Sequence, residues 1–140
     1  MGLDERMSEA GSRFGEREAL QAEPLEVAAT HARSLHAKVR QALDHFHAAA
    51  AAAGSDHLVI TLSEPSLDAK HIRAFQFEIA RGRTRAIVTA KSRGDVTLVG
   101  PFDHGKPEKP CYSLSLDEEE QIEEALGDLL EAFFDKAMRT

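Results

Sequence analysis

The chain is poor in the residues that would announce a chemistry. Its one cysteine, Cys111, permits no intramolecular disulfide, which fits a reducing compartment. No apolar run approaches the roughly 20 residues that a membrane-spanning helix requires, and the opening residues MGLDERMSEAG hold no apolar leader region. A cytoplasmic protein without membrane contact is the expectation. Phosphate-loop chemistry is lacking as well, since Gly105-Lys106 has neither the glycine pattern nor the following helix. Metal-ligand spacing is equally scarce. Of His31, His36, His45 and His47 no two stand three or four apart, and His45 and His47 point to different sides of a helix. These histidines are expected on solvated helix surface, with no metal and no cofactor.

What the chain does have is a sheet. Around residues 73–81 Phe75, Phe77 and Ile79 alternate with Ala74, Gln76, Glu78 and Ala80, the period of a half-buried strand. A tight turn at 81–82 or 82–83 uses the conformational freedom of Gly82. Either turn sets Phe75, Phe77 and Ile79 on one face with Ala86, Val88 and Ala90. The other face then carries Gln76, Glu78, Arg83, Arg85, Thr89 and Lys91. Residues 91–95 form the next turn and 96–99 a third strand. Before the hairpin, residues 57–62 (HLVITL) read as a strand ended by Pro65; after it, residues 100–110 read as a loop stiffened by three prolines. Residues 111–116 suggest a short further strand.

Helices flank the meander. Pro24 suits a first helical turn, and the periodic positions Leu25, Ala28, Ala32, Leu35, Val39, Ala42, Phe46 and Ala49 carry that helix to about residue 53, before Gly54. Residues 1–23, polar and of mixed charge, read as a mobile N-terminal arm ahead of a single domain over 24–140. A second helix spans about 117–138, with Ser115 and Glu118, or Asp117 and Glu120, at capping-box spacing. Its apolar face of Ile122, Leu126, Leu129, Leu130 and Phe133 is broad enough to cover a sheet. The fold class is α+β: a long N-terminal helix, an antiparallel meander of four to five strands, and a C-terminal amphipathic helix packed on one sheet face. This layout is similar to that of small dimeric secretion chaperones, a likeness of order carried by no motif, and it implies a dimeric, chaperone-like protein.

The net charge of −7 conceals an acidic terminal helix beside a basic hairpin, so an anionic partner for the sheet stays open. Arg83, Arg85, Lys91 and Arg93 are the candidate polyanion-binding residues. Against nucleic acid stands the parity of Phe75 and Phe77, which puts the rings on the face opposite the cations, whereas a stacking platform needs both together. His104, Lys106 and Cys111 form a candidate loop site, because positive neighbours lower a thiol pKa, although no third group orients them. The leading expectation is a non-enzymatic protein-interaction module, an adaptor or chaperone-like homodimer. Its first helix outreaches its sheet, and the strip Leu35, Val39, Ala42 and Phe46 is the candidate dimer contact.

Overall fold

The computed structural model describes residues 2–68 and 73–139, and for 18–24 the backbone alone. Two helices flank an antiparallel sheet: α1 (Leu3–Ala52), β1 (Thr61–Leu62), β2 (Ser66–Leu67), β3 (Ala74–Arg81), β4 (Thr84–Lys91), β5 (Asp95–Asp103), β6 (Cys111–Ser115) and α2 (Glu119–Ala137). Strand order is β1-β3-β4-β5-β6, with β2 also on β3.

The first helix begins at Leu3 rather than at Pro24, so the stretch expected as an arm is helical over its described residues. Local composition accounts for this. Leu, Met, Ala, Glu and Arg dominate residues 3–17 and are good helix formers. Asp4 and Glu5 occupy the first turn, where the helix dipole favours acids. Glu9 and Arg13 stand at the favourable i,i+4 spacing. Fifty residues make a helix about 75 Å long. It stops as expected at Gly54, whose φ of 87° is the left-handed conformation a helix C-terminus uses.

The hairpin closes on the pair Arg81 and Thr84, leaving Gly82-Arg83 as a two-residue loop with positive φ at Gly82 alone, the pattern of a type II′ turn. Phe77 then faces Val88, and Ile79 faces Ala86. All four are buried, together with Val96 and Leu98 of β5 on the same face. Both helices seat there: α1 over β3 and β4, α2 over β4 and β5. Contacts advance together along the helices, from Lys38 beside Glu123 (3.9 Å) to Phe46 stacked on Phe134 (4.3 Å), so α1 and α2 run parallel.

Three sheet boundaries differ from the sequence reading. The strand expected over 57–62 pairs only at Thr61 and Leu62, because side chains take up the backbone groups before it. Arg81 donates to the carbonyls of His57 and Val59, and the Ile60 N–H donates to His47 Nε2 at 2.9 Å. Past Pro65, which has no N–H to give, the edge resumes as β2 against Gln76 and Phe75. Residues 100–103, read as loop, continue β5. Gly100 and Pro101 lie opposite the single residue Ala86, a bulge that lets the strand re-enter register with Phe102 against Arg85. Finally, neither capping box forms at α2. Ser115 ends β6, and its hydroxyl accepts from the Asp117 N–H instead.

Burial and geometry give two stability predictions. Phe77 is 1% exposed and meets the edge of His36 at 5.2 Å, so Phe77→Ala should cost about 3–5 kcal/mol in urea melts. A loss under about 1 kcal/mol would place the ring outside the core. Gly100 has φ of 108°, and a Cβ there would stand 2.8 Å from the Arg85 carbonyl oxygen. Gly105 has a similar φ of 86° with nothing near. Gly105→Ala should therefore cost about 1 kcal/mol from backbone strain alone, and Gly100→Ala at least about 2 kcal/mol more. Equal losses at the two sites would mean that the bulge carries no steric constraint.

Candidate functional site

The residues singled out by the sequence do not converge. Arg85 and Lys91 sit near opposite ends of β4, six residues or about 20 Å apart. Arg83 lies in the turn beside the first, and Arg93 in the turn beside the second. Arg85 Nε reaches Glu78 Oε1 at 3.2 Å. Arg93 makes a two-pronged pair with Asp95, at 2.7 and 3.2 Å. That pair holds the Asp95 carboxyl below its ordinary range, chiefly through the hydrogen bond. Its stabilising effect is present above the ordinary carboxylate pKa and fades as pH falls through the lowered value. The four cations thus form two separate pairs, each partly neutralised.

The loop residues are likewise apart. Cys111 is exposed and pairs with Val99, while His104 and Lys106 follow the far end of β5, on the order of 15 Å along the strand. Of the expected dimer strip, Leu35 and Val39 are buried in the subunit's own core, and Phe46 is half-buried against Phe134. Only Ala42 is exposed. The strip is therefore occupied within the subunit, because the sheet face is long enough to take α1 along its strands. Two histidines expected on the surface also serve packing. His36 is buried against Phe77, and His47 is half-buried and accepts the Ile60 N–H. Among the described residues, no three of His, Cys, Asp and Glu gather at metal-binding distance.

The structure does assemble a cleft of about 390 Å³ at the turn end of the β3–β4 hairpin, lined by Val59, Thr61, Ala80, Arg81, Arg85 and Ala137. The hairpin supplies both arginines, the edge segment before β1 supplies Val59, and the end of α2 closes the floor with Ala137. Arg81 Nη1 donates to the Val59 and His57 carbonyls at 3.2 and 3.4 Å. Arg85 Nη1 donates to the Gly82 and Thr84 carbonyls at 2.6 and 3.0 Å. Arg81 was assigned to the turn by the sequence pattern. Its parity with Phe77 and Ile79, an arginine ending an apolar row, is the signal that marks it as a half-buried cation.

Tyr112 adds a titratable group at the α2 side of the sheet, where its hydroxyl donates to the Ala125 carbonyl at 3.3 Å. Burial pushes its pKa above the ordinary 10.0, and the Asp128 carboxylate adds to the rise.

Comparison of the chain with protein-family models, curated proteins and solved structures finds no match.

The Tyr112 environment is directly measurable, since the chain has one tyrosine and no tryptophan. The native absorbance titration of tyrosinate should have its midpoint above that of the urea-unfolded chain. The raised value means that Tyr112 contributes stability below pH 10, lost as pH rises through the native midpoint. Asp128→Asn should lower the native midpoint without bringing it to the unfolded value, because burial is the larger cause. Coincident native and unfolded curves would show a ring that does not pack against α2.

Proposed function

We propose that the chain is a non-enzymatic protein-interaction module that forms a homodimer through the first third of α1. The observation that carries this reading is an exposed apolar stripe that packs on neither the sheet nor α2, with only Arg13 and Arg17 of its own helix over the Phe14 ring. Leu3, Met7 and Phe14 are 69%, 57% and 50% exposed. With Ala10 they repeat in steps of four, three and four, the spacing of a helix–helix seam. At 100° per residue on an ideal helix, this stripe and the buried or half-buried residues Leu25, Ala28, Ala32, Leu35, Val39, Leu43 and Phe46 share one sector about 80° wide. Two apolar segments of α1, over residues 3–14 and 25–46, thus share one side of the helix, the later one seated on the sheet and the earlier one open.

A second copy fits the open part. Three arginines alternate with four acids over residues 2–17, a net of −1, so a like chain meets little repulsion. Gly11 and Gly15 flank the stripe with nothing within 4 Å of where a Cβ would stand, so a partner helix can approach closely on that side. A two-fold contact covers the stripe on both subunits at once. No helix among the described residues is long and apolar enough to cross a membrane. An exposed free thiol at Cys111 suits the cytoplasm as the setting. The separation of the four hairpin cations into two partly neutralised pairs favours a protein partner over a polyanion.

Met7→Glu combined with Phe14→Glu tests the reading, because neither side chain packs on the sheet. Light scattering should give a mass of two chains for the parent and one for the variant, with the thermal transition of the domain retained. A single-chain mass for the parent at high micromolar concentration overturns the proposal. So does an undiminished dimer in the variant.

A further inference from the structure

The hairpin cleft holds a cation with no counter-charge among the described residues. Arg81 is half-buried, tied by Nη1 to two backbone carbonyls, and meets no carboxylate among the described residues. Its Nε and Nη2 hydrogens have no acceptor there. Those two nitrogens form one planar edge of the guanidinium, the edge that binds an oxyanion through two parallel hydrogen bonds. Arg85, on the opposite strand, lines the same cleft and has Nη2 left over after its bonds to Glu78, Gly82 and Thr84. Glu78 offsets one of the two charges, and among the described residues no acid lines the cleft itself. Arg83, exposed in the turn between them, adds a further positive charge at the rim.

We infer that this cleft binds a small oxyanion-bearing ligand, a phosphate ester or a carboxylate, with Arg81 gripping the oxyanion through its Nε–Nη2 edge and Arg85 and Arg83 adding positive charge nearby. The remaining walls, Val59, Ala80 and Ala137, are apolar, and about 390 Å³ is within the range of small-molecule sites. An isolated inorganic ion leaves much of that volume empty, so the ligand class is a small organic anion whose body lies on the apolar wall. The tie of Arg81 to the His57 and Val59 carbonyls serves the site as well as the fold, because it fixes the guanidinium before the ligand arrives and lowers the ordering cost of binding.

The test is a nitrogen–proton correlation titration of the full chain with inorganic phosphate and, separately, with acetate, at constant ionic strength balanced by chloride. The site should give saturable shifts at the Arg81 Nε–H and at the amides of residues 80–85 and 59–61, and the stronger of the two probes identifies the oxyanion class. Val59→Glu places a competing carboxylate in the cleft at a position 54% exposed, so the fold is retained. It should weaken the stronger probe at least about tenfold. Arg81→Gln should abolish the saturable shift, and Val59→Glu decides the matter if that variant is unstable. Linear shifts indistinguishable from those of chloride, or binding unchanged in Val59→Glu, overturn the inference.

Discussion

The pairing of β3 with β4 is the constraint on which the rest of the molecule depends. Its two-residue turn sets Phe77 against Val88 and Ile79 against Ala86, so the large apolar side chains of the hairpin, Ile87 apart, leave the sheet on one side. A slip of one residue would send that set to the other face. With the register fixed, Val96 and Leu98 join the same surface through β5, and the helices acquire one continuous floor. The parallel seating of α1 and α2 follows from it. Each helix contributes a broad apolar stripe, and the two share the floor side by side with Phe46 stacked on Phe134 where they meet.

One consequence is a division of labour within α1. The same apolar spacing recurs over residues 3–14 and 25–46, yet the sheet covers only the later part. Where the stripe is covered, substitution acts on stability, as Leu35 and Val39 lie in the core. Where it is open, substitution spares the domain's own packing, since Leu3, Met7 and Phe14 are exposed. Burial of the later part holds the helix in place and points the earlier part away from its own sheet. The feature from which function is argued is therefore built by the same periodicity as the core.

The hairpin turn shows a second coupling of structure to chemistry. Residues 57–60 do not join the sheet, and where local backbone bonds leave their polar groups over, side chains take them up. His47 and Arg81 do this, one from α1 and one from β3. Arg81 is engaged in the process through one nitrogen, in a cleft that it helps to line. By contrast, the cations and the loop residues that looked like sites in the linear sequence are spread along strands. Strand geometry separates them at about 3.4 Å per residue, too far to act together.

Much of the fold was legible before any coordinates. The alternation through 73–91 determined the strands and their faces, because a side-chain period of two leaves little choice once one face is buried. The same holds for the seam of α1 and the broad face of α2, where a helical period has one solution. Pro24 points to a helix start that the helix propensity over 3–17 overrides. The continuation of β5 past Gly100 was hidden for a similar reason: a bulge looks like a loop until a partner strand supplies its register. The site residues depended still more on tertiary contacts. Whether Leu35 faces a second chain or its own sheet, and whether His36, His47 and Arg81 lie on the surface or tie the edge of the sheet, is decided by elements distant in sequence. A local pattern specifies which way a side chain points from its own backbone, and only the packed fold specifies what it meets.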